Sequence, residues 1–212
     1  MKIIIISPSK KEDKANELQV LISLFENGLN TYHLRKPKLS TKELGEYLRR
    51  IPAQFHNRIV IHSHHNLAIK FNLKGVHYTK SHLKKNFKNW WREKTLGIAK
   101  SNLIKSVSHT KLVSVYDNND MNFNYEFLSP IFDSLTGKYQ SGFYEEGIKA
   151  AIQKTGKRLI ARGGADITRI EKVKELGFYG MALYSCIWDS DSPVEEYIKI
   201  VKRCNELGIP IE

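Results

Sequence analysis

Single histidines end several short apolar runs in this sequence. The runs TYHLR, RIVIH and GVHY carry His33, His62 and His77, and a later run, KSVSHT, carries His109. Imidazole changes charge near neutral pH, so each of these residues is a candidate for moving a proton. His109 falls where a predicted strand ends and a helix begins, a place from which it could act on a substrate.

The stretch at residues 158–188, RLIARGGADITRIEKVKELGFYGMALYSCIW, is predicted to form a strand, a helix and a second strand. The first strand stops at Gly163 and Gly164, and the second is followed by Ser185 and Cys186. Small residues at the ends of neighbouring parallel strands leave backbone N–H groups accessible, an arrangement that suits a phosphate. The alternative is an ordinary strand–helix–strand unit with a glycine turn.

Further polar residues are predicted to follow the second and sixth strands. Arg35 and Lys138 have the charge for phosphate contact, and Lys36 is the neighbour of Arg35. Ser134 and Thr136 add hydroxyl donors. We therefore expect these side chains to contact an anionic substrate.

His62, His64 and His65 are close together in sequence, as metal ligands often are. On a strand, however, His62 and His64 share a face and His65 does not. No carboxylate or cysteine nearby in the sequence completes a coordination shell. We therefore expect substrate contacts from His62 and no metal ion.

These residues are held by about eight predicted strands that alternate with helices, from a first strand at 2–7 to a closing helix at 194–207. Alternation on this scale means a parallel sheet, and eight units favour its closure into a barrel. We predict an α/β protein with a single (β/α)8 TIM-barrel domain over residues 1–212. In such barrels the active site lies at the carboxyl ends of the strands, with phosphate held after strands seven and eight.

The charge of the chain indicates which kinds of partner it could bind. The 212 residues include 34 lysines and arginines against 22 acidic residues, a net charge of +12 that attracts anions. The most basic segment, residues 80–94, interleaves lysines with Phe87, Trp90 and Trp91, which could bind nucleic acid or could form a solvated helix with a buried aromatic side. We expect a small phosphorylated partner, and nucleic-acid binding stays a separate hypothesis.

The amino-terminal residues and the cysteines bear on the compartment. The run MKIIIISPSKKED is too short for a signal-peptide core or a membrane span, so it is predicted to be the first strand. Cys186 and Cys204 fit neither a metal spacing nor a disulfide framework. We expect a cytoplasmic protein without membrane contact, and the sequence leaves a homo-oligomer open.

Six segments in order resemble those of the thiamine phosphate synthase/TenI superfamily. The family patterns are Q-L-R-E-K, G-V-H-L, S-x-H-S/T, G-P-I-F-x-T-x-T-K, I-G-G-I and G-V-A-V-x-S-A-I. The corresponding segments are HLRK at 33–36, GVH at 75–77, SHT at 108–110, SPIFDSLTGK at 129–138, RGG at 162–164 and GMALYSCIW at 180–188. The resemblance covers nearly the whole chain and implies a TIM barrel that acts in thiamine biosynthesis.

The resemblance implies one of two reactions. The synthase joins a phosphorylated hydroxyethylthiazole to a pyrimidine pyrophosphate, releases pyrophosphate and uses Mg²⁺. The TenI branch shifts a double bond in a thiazole carboxylate phosphate, with a histidine and no metal. By position, the phosphate-binding residues would be Gly163, Gly164, Ser185 and Cys186. The substrate-binding residues would be His33, Arg35, Lys36, His62, His77, Ser134, Thr136 and Lys138.

The departures from the family pattern favour the second reaction. The synthase pattern has Asn-Asp after strand three, where this chain has His62 and Ser63, and an acidic residue further on, where it reads YTKSH at 78–82. The two carboxylates expected to bind Mg²⁺ are therefore missing, while the histidine of the TenI pattern is kept as His109. We expect a TenI-like tautomerase with His109 as the catalytic residue and no cofactor. The alternatives are a Mg²⁺-dependent synthase and a non-catalytic binder of a thiamine precursor.

Overall fold

The computed structural model describes residues 1–9, 16–79, 102–117, 122–133, 135 and 141–212. Eight parallel strands close into a barrel in sequence order, and the last strand pairs with the first. The strands are β1 Lys2–Ile6, β2 Tyr32–Leu34, β3 Ile59–Ile61, β4 Gly75–Tyr78, β5 Ile104–His109, β6 Tyr125–Leu128, β7 Leu159–Arg162 and β8 Gly180–Leu183. The predicted (β/α)8 TIM barrel is thus confirmed.

Helices alternate with the strands and cover the outside of the barrel. They are α1 Glu17–Glu26, α2 Thr41–Arg49, α3 Asn66–Lys70, α4 Glu145–Thr155, α5 Ile170–Glu175, α6 Ser185–Trp188 and α7 Pro193–Glu206. Single 3-10 turns span Ala53–Arg58, Leu112–Val115 and Ile167–Arg169. α2 begins with a reciprocal capping box that is formed by Ser40 and Glu43.

Alternate residues of each strand face opposite sides of the sheet. One set fills the inside of the barrel, and its apolar members are Ile4, Ile6, Tyr125, Phe127, Ile160 and Ala182. The other set, which includes Ile3, Leu34, Ile61 and Leu128, packs with the helices in the larger outer core. The position of a residue within its strand therefore decides whether its side chain faces the interior or the helices.

Two segments differ from the sequence prediction. The run FLSPIF predicts a sixth strand at 127–132, but β6 covers Tyr125–Leu128 and ends before Pro130, which has no N–H to donate to a ladder. The sequence predicts a fifth strand at 104–108, and β5 continues to His109. The alternative fifth strand at 96–99 and the basic segment at 80–94 lie outside the described residues. Among the helices that are described, none has both the length and the apolar character of a membrane span.

Candidate active site

Three histidines from successive strands meet inside the barrel, near the end where the strands finish (the mouth). They are His33 on β2, His62 directly after β3 and His77 on β4, and one ring nitrogen from each lies within 4.8 Å of the others. His33 Nδ1 is 3.0 Å from His62 Nε2, and the rings of His62 and His77 are stacked with centroids 4.1 Å apart. All three were predicted as substrate-binding residues, and the barrel brings them together as one imidazole cluster.

The remaining nitrogens of the imidazole cluster contact hydroxyl groups from β5 and β6. His33 Nε2 lies 2.6 Å from the hydroxyl of Tyr125. His77 has Ser106 Oγ at 2.9 Å from Nδ1 and Ser108 Oγ at 3.1 Å from Nε2. These contacts fix the ring orientations, and they were not foreseen because the sequence does not show which residues of β5 and β6 face inward.

Burial keeps His33 and His62 of the imidazole cluster neutral. Removal from water lowers the pKa of both His33 and His62 well below the ordinary value, and the charge of a protonated His77 would lower each further. Arg162 acts on both histidines in the same direction. At neutral pH the two imidazoles are therefore uncharged, and each has a ring nitrogen with a lone pair.

Two guanidinium groups make the mouth positive. Arg35 follows β2 on the same face as His33, and mutual hydrogen bonds between its backbone and Ser7 Oγ hold it there. Arg162 is the last residue of β7 and also faces inward; burial, and then the charge of Arg35, lowers its pKa. Among the described residues, neither has a carboxylate within ion-pair distance. Arg162 was not predicted as a site residue. The sequence did mark it, because this chain has RGG where the family pattern has I-G-G-I.

The structure shows a second reason for the two glycines after β7, which the sequence did not indicate. Gly163 and Gly164 have φ values of 94° and 62°, in the left-handed region. A Cβ on Gly164 would lie 2.1 Å from the carbonyl oxygen of Asp133, and one on Gly163 would lie 3.0 Å from Pro130 Cα. The pair therefore lets the loops after β6 and β7 approach closely, in addition to its predicted part in phosphate binding.

Ser185 and Cys186 open the four-residue helix α6 directly after β8, next to the loop that carries the glycine pair. Both residues are half-buried. Burial raises the pKa of the Cys186 thiol to about 12, and the charge of Asp166 adds to this effect. The thiol is therefore protonated and is not a nucleophile, and the predicted phosphate contact at this position would come from backbone N–H groups.

The predicted position of His109 on the catalytic rim is wrong. Ser106 and Ser108 of β5 face the interior, so His109 faces the helices, one residue out of phase. Its Nε2 lies 2.6 Å from Oε2 of Glu126, a buried residue on the outer face of β6. Lys157 lies 3.3 Å from the other oxygen of the same carboxylate. His109 thus belongs to a buried polar contact on the outer side of the barrel.

The predicted substrate contact of Lys36 is also wrong, for the same reason. Lys36 is one residue out of phase with Arg35 and faces α1, where its Nζ lies 2.7 Å from Glu17 Oε2 with both side chains fully buried. Tyr47 donates a hydrogen bond to the other oxygen of Glu17. The ammonium group of Lys36 therefore lies in the outer core and not at the mouth.

The other histidines of the 62–65 segment do not join the imidazole cluster. His64 contacts Thr41 Oγ1 and the carbonyl of Leu39, and His65 contacts the carbonyl of His77, so neither shares the position of the His62 ring. The remaining predicted site residues, Ser134, Thr136 and Lys138, lie outside the described residues.

The donor set does not suit Mg²⁺. In the part of the chain that the structure describes, the single group of three or more convergent metal-binding side chains is the imidazole cluster, which contains no carboxylate. Mg²⁺ requires oxygen ligands in octahedral geometry and is a poor partner for imidazole. The carboxylate of Asp133, the acidic residue after β6, accepts a hydrogen bond from the backbone of Ser141 instead.

Fold and site together define a (β/α)8 barrel with a cationic, imidazole-lined mouth. The sequence matches the profile described as thiamine monophosphate synthase (TMP-TENI) over residues 3–187. The chain belongs to this family, as the sequence segments predicted.

Two solved structures share the fold, and one curated relative matches part of the sequence. A thiamine phosphate pyrophosphorylase from Bacteroides thetaiotaomicron is 24% identical and superposes with a TM-score of 0.71 over 97% of this chain and 98% of its own. The corresponding enzyme from Pyrococcus furiosus is 15% identical, with a TM-score of 0.72 over 97% and 96% of the two chains. A thiamine-phosphate synthase from Prochlorococcus marinus is 28% identical over 107 residues, which are 47% of this chain and 30% of that relative's length.

Proposed function

We propose that the protein is a thiazole phosphate tautomerase, which moves a ring proton of a thiazole carboxylate phosphate so that the ring becomes aromatic. The proposal rests on one observation about the described part of the mouth. Guanidinium groups without a carboxylate partner among the described residues lie near neutral imidazoles, and the convergent metal-binding side chains include no carboxylate. This combination suits an anionic substrate and a proton transfer. It does not suit Mg²⁺-assisted departure of pyrophosphate.

The phosphate of the substrate would bind to the backbone amides after β7 and β8, at Gly163, Gly164, Ser185 and Cys186. Support comes from the family, whose members imply phosphorylated small-molecule substrates, and from the position of these residues at the mouth. A phosphate held at one end of the mouth orients the ring at the other, and orientation can supply a large part of a barrier reduction.

The carboxylate of the substrate would lie against Arg162 and Arg35. A guanidinium group binds a carboxylate through two parallel hydrogen bonds, and a partly buried one binds it more strongly than an exposed one. Arg162 ends β7 on the interior face of that strand, and Arg35 follows β2 with an exposed side chain. A bound thiazole would offer its carboxylate to both. An anion there would also relieve the repulsion between the two arginines.

The proton acceptor would be His62, the least buried residue of the imidazole cluster. A proton leaves the thiazoline ring carbon for the imidazole nitrogen, the electron pair moves into the ring, and the same proton returns to a second position of the substrate. No oxidant or second substrate is needed. The stacked His77 and the hydrogen-bonded His33 hold the acceptor in place.

The second candidate is the synthase reaction, in which the same guanidinium groups would stabilise the departing pyrophosphate in place of Mg²⁺. The Prochlorococcus relative carries the synthase name, which favours this candidate. The relative matches less than half of this chain. The tautomerase proposal therefore rests on the site rather than on this likeness.

Product identification tests the proposal. Purified protein is incubated with the thiazole carboxylate phosphate tautomer, and separately with a hydroxyethylthiazole phosphate and the pyrimidine pyrophosphate, each with and without Mg²⁺. We expect the ultraviolet spectrum of the aromatic thiazole in the first reaction at a rate that Mg²⁺ does not change. Release of pyrophosphate in the second reaction, with no change in the first, would overturn the tautomerase proposal. Tight binding without turnover in either reaction would indicate a non-catalytic binder.

A further inference from the structure

The imidazole cluster has the arrangement of a transition-metal site. We propose that His33, His62 and His77 bind one divalent transition ion of the Zn²⁺ class, with an open coordination position facing the barrel mouth. The binding rests on the geometry of the three rings and not on the proposed reaction. It departs from the Mg²⁺ chemistry of the synthase both in the ligands and in the kind of ion.

The nitrogen atoms are close to the separations that coordination requires. Zn–N bonds of 2.0–2.1 Å in tetrahedral geometry place two ligand nitrogens roughly 3.3 Å apart. His33 Nδ1 and His62 Nε2 are separated by 3.0 Å, and one nitrogen from each of the three rings falls within 4.8 Å. Side-chain rotation of the stacked His62 and His77 rings closes the remaining difference.

Two of the rings already have the outer partners that metal-bound histidines require. A ligating imidazole usually donates its second N–H to an oxygen atom, which fixes the tautomer and the ring orientation. His33 Nε2 has the hydroxyl of Tyr125 at 2.6 Å, so Nδ1 can face the ion. His77 has a serine hydroxyl near each nitrogen, so either nitrogen can bind the ion while the other keeps its partner.

The ligand type selects the ion. Three imidazoles without a carboxylate suit Zn²⁺, Co²⁺, Ni²⁺ or Cu²⁺ and exclude a hard ion such as Mg²⁺ or Ca²⁺. Three protein ligands leave a fourth position for water or substrate, as in catalytic zinc sites. With an ion bound, the ligating imidazole nitrogens could not accept a proton, and a water ligand of the ion, whose pKa such a site lowers to about 7, would replace His62 as the acceptor.

The two guanidinium groups should make metal binding depend on a bound anion. Arg162 and Arg35 place positive charge near the imidazole cluster, which disfavours a dication unless an anion is bound as well. An anion that bridges the ion and the guanidinium groups would remove this penalty. Metal binding and phosphate binding should therefore strengthen each other by the same factor.

Metal titration of the full chain tests the site without any substrate. Protein freed of metal by dialysis against a chelator is titrated with Co²⁺ and with Zn²⁺, in the presence and absence of inorganic phosphate. We expect one ion per chain, the visible absorption bands of four-coordinate Co²⁺, and tighter binding with phosphate.

Three variants and one control variant locate the bound ion. Loss of an outer partner costs about 10- to 100-fold in metal affinity, so His62→Asn and His77→Asn should each cost at least about 100-fold. His64→Asn is the matched control, because its ring contacts Thr41 and Leu39 instead, and it should bind like the parent. Ser106→Ala keeps every ligand and should weaken binding about 10-fold, a result that a merely unfolded variant would not produce. Equal affinity in the parent, His62→Asn and His77→Asn proteins, or no binding by the parent, would overturn the proposal.

Discussion

His109 Nε2 lies 2.6 Å from Oε2 of Glu126 on the outer face of the barrel, with both side chains buried. The contact joins the last residue of β5 to the second residue of β6, and Lys157, two residues before β7, contacts the same carboxylate. His109, the histidine that matches the TenI pattern, therefore lies on the other side of the barrel wall from the proposed reaction at the mouth.

Replacement of His109 should therefore affect stability and not turnover. His109→Asn leaves the Glu126 carboxylate buried with one partner fewer, which we expect to cost about 1–3 kcal/mol of unfolding free energy. Urea unfolding of the variant measures this loss. The double variant His109→Asn/Glu126→Gln should recover part of it, since the buried charge is gone. No loss of stability in the single variant would show that the contact is not formed in solution.

The sequence allowed prediction of the barrel and of the approximate positions of its strands, because strand-helix alternation and the glycines between elements are local signals. It allowed prediction of His33, His62 and His77 at the mouth as well. It failed for Lys36 and His109, since a shift of one residue along a strand moves a side chain to the opposite face. The partners that fix this phase, Glu17 and Glu126, are distant in sequence and do not show in a local pattern.

Arg162 should contribute to binding and not to folding. Arg162→Ile restores the residue type of the family pattern and removes a charged hydrogen bond to the ligand, worth about 1.5–3 kcal/mol, or roughly 10- to 100-fold in affinity. Calorimetric titration with the thiazole carboxylate phosphate measures the change. Arg158→Ile is the matched control: Arg158 lies beside Tyr179 at the opposite end of β7, and its loss should leave affinity unchanged. Equal affinities in the two variants would remove Arg162 from the site.

Gly164 should be sensitive to substitution because of close packing. Gly164→Ala forces a Cβ to within 2.1 Å of the Asp133 carbonyl and should destabilise the protein by more than left-handed strain alone. Gly208 has the same φ of 62°, but a Cβ added there would meet no atom within 4 Å, so Gly208→Ala should cost only about 1 kcal/mol, the usual strain. Thermal unfolding of the two variants separates the two effects. Equal losses would contradict the close approach of the two loops.

Acid should destabilise the metal-free protein below pH 6.5. Burial lowers the pKa of His33 and His62 in the folded state, so between that lowered pKa and 6.5 the unfolded chain binds more protons. Stability then falls as pH falls, by up to about 1.4 kcal/mol per pH unit for each histidine, and it is insensitive to these groups above about pH 7.5. Urea unfolding between pH 5 and pH 8 with a chelator present measures the slope. His62→Asn should reduce it, and an identical slope in the variant would contradict the neutral cluster.

The most direct test of the proposed site compares turnover of the thiazole carboxylate phosphate by two single variants. His62→Asn removes an imidazole from the mouth, and His109→Asn removes the one that contacts Glu126 outside the barrel. We predict that the rate falls by about 100-fold or more for His62→Asn, the usual scale for loss of an acid–base group, and stays within about two-fold of the parent for His109→Asn. The reverse result, a normal rate for His62→Asn and a collapsed rate for folded His109→Asn, would contradict the proposed site.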